Sequence, residues 1–107
     1  MAIYIGGLYM LKFFKVLADP TRFEIFELLL KGESCGCNLL DKLDISQPTL
    51  SYHLNTIFEA GLTTKVRDGN KVNYSVKVEV LEEIIDYFSN LKSIDYNCNV
   101  KLRKGEL

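Results

Sequence analysis

The chain has 107 residues, the size of one domain, and 48% of them are hydrophobic, enough to bury a core without disulfides. Against 14 acidic side chains stand 13 basic ones, so the net charge is −1 and the totals do not point to a polyanionic partner. Three cysteines are too few, and odd in number, for a secreted disulfide framework; they read as reduced thiols in a cytoplasmic protein.

Residues 1–11 are uncharged and mostly apolar, and Lys12 and Lys15 follow the run. A secretory signal carries its positive charge first, and a membrane-spanning helix needs about 20 apolar residues. The segment is therefore expected to pack as a helix on another surface, with helix over 8–18. Asp19-Pro20 marks a fresh start, with Asp19 as N-cap and Pro20 in the first turn. A helix over 21–31 follows, buried broadly through Phe23, Ile25, Phe26, Leu29 and Leu30, and Gly32 ends it. A short helix is expected over 38–43. After Asp44-Ile45, Ser46 caps a helix over 47–60 with a buried stripe of Leu50, Leu54, Ile57 and Phe58. Gly61 stops it.

The period then changes to two. Leu62, Thr64 and Val66 alternate with polar neighbours, and after Asp68-Gly69-Asn70 so do Val72, Tyr74 and Val76. This is the pattern of a β-hairpin. It is expected to have one apolar face and one face carrying Lys65, Arg67, Lys71 and Lys77. A final helix over 78–91 has a wide apolar face, and residues 93–107 read as a flexible polar tail after a domain spanning 1–92.

Two helices joined by a tight turn and followed by a hairpin make a mainly α winged helix-turn-helix. In such a unit the second helix enters the major groove and the wing reaches the flanking backbone. Opposite the buried stripe of 47–60 lie short hydroxyl and amide side chains suited to base edges and phosphates. Charge is divided in the same sense. Residues 46–77 carry 4 basic and 2 acidic side chains, against 5 and 6 in residues 1–45 and 4 and 6 in residues 78–107. One chain is only modestly positive there, so a homodimer presenting two copies to double-stranded operator DNA is expected. The apolar N- and C-terminal helices are its natural interface.

The stretch Leu17–Phe26, LADPTRFEIF, resembles the "LADPTRLEIL" start of the ArsR/SmtB family of metal-responsive repressors. Ser46–Leu54, SQPTLSYHL, is similar to that family's recognition helix, "SQPTVSRHL". Glu59-Ala-Gly-Leu62 and the hairpin ending Val72-Asn-Tyr74 match its wing. The resemblance spans roughly residues 10–92. It implies a homodimeric repressor that leaves its operator when an inducer binds. Carried over by position, the DNA-reading residues are Gln47, Thr49, Ser51, Tyr52 and His53, with Tyr52 where the family pattern has Arg. The wing adds Lys65, Arg67 and Lys71.

The segment Glu33–Leu40, ESCGCNLL, resembles the family's arsenic-sensing box, "ELCVCDLC". Cys35 and Cys37 match its first two thiols, Leu40 stands where the third would fall, and Cys98 is the remaining candidate ligand. The resemblance thus implies trivalent arsenic or antimony as inducer, with no resident cofactor. Other family sites fail by count. The last helix has Glu79, Glu82, Glu83 and Asp86 but no histidine, and residues 1–34 hold no cysteine. No nucleophile–base pair or phosphate loop suggests an enzyme. Two other readings remain open at this level: a thiol-redox-responsive repressor, and a winged-helix protein-interaction module without DNA binding.

Overall fold

A computed structural model describes the backbone of residues 2–93 and the side chains of residues 7–92 other than Cys37. The elements follow in the order α1 (Ala2–Leu17), α2 (Pro20–Leu30), α3 (Gly36–Lys42), α4 (Gln47–Glu59), β1 (Thr63–Asp68), β2 (Lys71–Val76) and α5 (Val78–Ser93). The expected tail and Cys98 lie outside the described residues. Among the described residues no helix is long and apolar enough to cross a membrane.

Local chemistry sets the helix ends. The Asp19 carboxylate accepts from the backbone N–H groups of Thr21 (2.9 Å) and Arg22 (3.1 Å), two donors that the first turn of α2 cannot satisfy itself. Those bonds, the one from Arg22 foremost, hold the Asp19 carboxyl below the ordinary carboxylate range. Ser46 Oγ accepts from Thr49 N–H in the same way (3.3 Å). At the other end of α2, Gly32 takes φ +104°, and Glu33 N–H turns back onto Leu28 C=O (3.1 Å). Gly61 repeats this after α4, with φ +90° and Leu62 N–H on Ile57 C=O (3.3 Å). Both ends are Schellman caps, which require a left-handed residue that glycine adopts without a Cβ clash.

The core is drawn from every helix and the wing: Met10 and Phe13 of α1, Ile25, Phe26 and Leu29 of α2, Leu39 of α3, Leu50, Leu54 and Ile57 of α4, Tyr74 of β2 and Val80 of α5. Three boundaries move by two residues or more, and one face differs from expectation. Helix α1 begins at Ala2 and α3 at Gly36, earlier than expected, while α5 runs on to Ser93. Phe23 and Leu30, assigned to a buried face of α2, are 47% and 46% exposed. That helix buries a narrower stripe than its composition suggests.

The hairpin's faces also differ from expectation. Asp68 pairs with Lys71 across a two-residue turn, Gly69-Asn70, with Gly69 at φ +67°. Gly at the first central position is the mark of a type II′ turn. Partners therefore have opposite parity: Thr63 faces Val76, Lys65 faces Tyr74 and Arg67 faces Val72. Directly opposed residues share a face. Lys65 and Arg67 thus lie on the same face as Tyr74 and Val72, and Val66 lies on the other, 58% exposed. The even-numbered apolar positions of the two strands fall on opposite sides because the turn has an even number of residues.

Candidate nucleic-acid interface

Helices α3 and α4 form the helix-turn-helix pair, and the buried stripe of α4 fixes which side faces outward. Gln47, Pro48, Thr49, Ser51, Tyr52 and Asn55 are exposed, with Tyr52 at 64%. Ser46 Oγ donates to Thr49 Oγ1 (3.0 Å), so the Thr49 hydroxyl is held at the cap and keeps its own proton to donate. Thr56 Oγ1 bonds back to Tyr52 C=O (2.9 Å).

His53 is placed differently from its neighbours. It is half-buried, and its Nδ1 lies 3.2 Å from Arg22 Nη1 of α2. Its ring also tilts against that of Tyr52, 5.4 Å between centroids. The side chain is turned toward the protein, at the flank of the exposed face.

The wing stands beside α4. Lys65, Arg67 and Lys71 are all exposed, but on different sides: Lys71 shares a face with Asp68, away from Lys65 and Arg67. Lys65 Nζ lies over the Phe58 ring of α4, 5.1 Å from its centroid, a cation–π contact that ties wing to helix. Between them opens a groove of about 420 Å³. Leu40, Leu50, Leu54, Val72 and Tyr74 form its apolar walls, and Gln47, Ser51, Asn70 and Lys71 its polar rim. Burial raises the Tyr74 phenol above its ordinary pKa, so it stays protonated.

Cys35 borders this same groove. It is the N-cap residue of α3, with extended backbone (φ −93°, ψ 138°), and is half-buried. Its C=O accepts the first bond of α3, from Leu39 N–H (3.1 Å). The backbone here is also stitched to the wing: Tyr74 N–H donates to Ser34 C=O (3.1 Å), and Cys35 forms an antiparallel bridge with Asn73. Cys37 is the second residue of α3, and its side chain lies outside the description. A Glu33–Lys42 ion pair (3.7 Å), with Lys42 exposed and Glu33 half-buried, spans α3. Among the described residues, no three His, Cys, Asp or Glu side chains gather as a metal site.

The structure thus brings Gln47, Ser51, Lys71 and Cys35 around one groove, and it separates Lys65, Arg67 and His53 from that rim. Sequence reasoning missed Arg22 as the partner of His53, and Asn73 as the partner of Cys35. Their partners lie more than thirty positions away, where no local periodicity reports them.

Comparison with known proteins agrees with this geometry. Residues 19–65 match the family described as "Bacterial regulatory protein, arsR family". The chain is 40% identical over 93 residues to the "Arsenical resistance operon repressor" of Staphylococcus xylosus, covering 86% of this chain and 89% of that one. A solved structure described as "Possible transcriptional regulator for arsenical resistance" superposes with a TM-score of 0.63 at 32% identity, covering 73% of this chain and 81% of that one. The homodimeric winged helix-turn-helix DNA-binding domain of a possible ArsR-family regulator from Mycobacterium bovis shares the fold, with a TM-score of 0.64 at 19% identity over 86% of this chain and 87% of that one. With caps, buried stripe, wing and these relatives in agreement, the chain belongs to the arsR family of bacterial regulatory proteins, as a winged helix-turn-helix transcriptional regulator and not an enzyme.

Proposed function

We propose that the chain is a homodimeric cytoplasmic repressor that binds operator DNA through α4 and the wing and is released by trivalent arsenic or antimony. Cys35 and Cys37 supply two thiolates, and Cys98 is the candidate third. Soft thiolate ligands suit these thiophilic ions. The observation that carries the reading is the position of Cys35. It caps α3, borders the groove rimmed by Gln47 and Ser51, and is bridged to Asn73 of the wing. The likeness to arsenical resistance operon repressors supports the choice of ion.

The coupling follows from backbone geometry. Cys35 lies just outside α3 on extended backbone, and Cys37 lies inside its first turn. One ion shared by two thiolates ties the extended residue to the helical one within a few ångströms, so binding constrains the backbone of that turn. The turn carries two outputs. It leads through α3 into the connection to α4, and its Ser34-Cys35 backbone is hydrogen-bonded to β2. A shift therefore reaches both the recognition helix and the wing. On DNA, Gln47, Thr49, Ser51 and Tyr52 meet the major groove, while Lys65, Arg67 and Lys71 contact phosphates on either side of the wing. His53 contributes from the flank.

The experiment is a release titration by fluorescence anisotropy, using a duplex selected by the wild-type protein from a random-sequence pool. Arsenite is expected to release the wild type and to leave the Cys35→Ser, Cys37→Ser double variant bound with unchanged DNA affinity. Release of the double variant by arsenite would remove the two thiols as sensor, and release by peroxide with no response to arsenite would establish a redox input instead.

A further inference from the structure

We propose that Arg22 is a positioning residue for the DNA interface, acting through His53. One guanidinium joins three helices. Its Nε donates to Val16 C=O near the C-terminus of α1 (2.7 Å), and its Nη1 lies 3.2 Å from His53 Nδ1 on α4. Its own backbone N–H is held by the Asp19 cap of α2. The cation suits the carbonyl end of α1, where the helix dipole is negative. Arg22 and His53 are both half-buried, so the bond lies between the helices and not in open solvent.

The contact constrains chemistry as well as position. Arginine only donates, so His53 Nδ1 must accept, and the ring's proton then sits on Nε2. Nε2 is directed away from Arg22 across the ring. The clasp fixes the roll of α4 about its axis, because His53 is adjacent to Tyr52 and two residues from Ser51. It also leaves Nε2 as the N–H donor of the ring. Asp19 adds a nearby negative charge that offsets the guanidinium. The inference rests on α4 as the DNA-binding helix; the wild-type protein's own binding to the selected duplex tests that separately.

Because His53 is the chain's one histidine, its ring nitrogens can be followed without assignment ambiguity. The test uses the full chain, imidazole ¹⁵N spectra above the histidine titration range, and affinity for the selected duplex. Wild type is expected to show one tautomer, protonated at Nε2, and Arg22→Met a mixture. Arg22→Met and His53→Ala are each expected to weaken binding about ten-fold, the double variant no further than the worse single, and His53→Asn, which keeps an acceptor near Nδ1, to retain most of the affinity. Circular dichroism reports folding, and His53→Ala carries the affinity test if Arg22→Met unfolds. Wild-type affinity in a folded Arg22→Met or a folded His53→Ala variant would overturn the proposal. So would multiplicative losses in the double variant, or an unchanged tautomer without Arg22.

Discussion

Thr63 opens β1 at 1% exposure, and its hydroxyl has no hydrogen-bond partner among the described residues. A buried hydroxyl left unpaired costs about 1–3 kcal/mol, while valine has nearly the same shape and no such demand. Thr63→Val is expected to raise Tm by several degrees at fixed protein concentration, since about 1 kcal/mol moves a domain of this size by about 4–8 °C. A calorimetric Tm at or below the parent's would show that the hydroxyl is satisfied. Much else at this scale was legible in the sequence. Asp19-Pro20, Ser46, Gly32 and Gly61 announce helix ends because a cap is made by residues within one turn of it. His53 was not legible in this way. Its place in a recognition-helix motif suggested a DNA contact, but its half-buried ring answers to Arg22, 31 positions away.

Elements carry the next level of information, and here the sequence was partly deceptive. The wing's two alternating runs identify a hairpin, yet which residues share a face depends on the turn length. Asp68-Gly69-Asn70 reads equally well as a three-residue loop, and one residue fewer in the turn moves one strand's pattern to the other side. Lys65 and Arg67 therefore stand with Tyr74 and not with Lys71. The outer helices pose the opposite case, apolar surface that the single chain does not use. Helices α1 and α5 already pack together, with Phe14 and Phe88 rings 5.7 Å apart and Tyr87 Oη 3.2 Å from where a side chain on Gly7 would begin. Leu8 and Leu11 on α1 and Ile85 and Leu91 on α5 still remain 43–71% exposed. A second copy covering them is the simplest account. Ile85→Glu places a charge on that exposed face without disturbing a buried contact. Sedimentation should show a dimer for the parent and a shift toward monomer, with weaker DNA binding, for the variant. A monomeric parent would remove the proposed interface.

At the scale of the whole molecule, the division of charge and the placement of Cys35 belong together. The net charge of −1 hides a positive reading unit between two acidic segments, and the thiol segment lies inside the fold of that unit, not at its edge. Motif and spacing made Cys35 and Cys37 visible as candidates. The antiparallel bridge from Cys35 to Asn73 was not visible, because it exists only once α2, α3 and the wing are packed. In the proposed mechanism, that bridge makes coupling between inducer and DNA a property of the folded domain. Coupling of this kind is reciprocal: whatever factor arsenite takes from DNA affinity, DNA must take from arsenite affinity, and such factors commonly run from about 5 to 150. The most direct measurement is arsenite affinity by calorimetry, on the free protein and on its complex with the selected duplex. The expected result is weaker arsenite binding on the complex, by the same factor found in the release titration and lost in the Cys35→Ser, Cys37→Ser variant. Equal arsenite affinity with and without DNA would contradict the account.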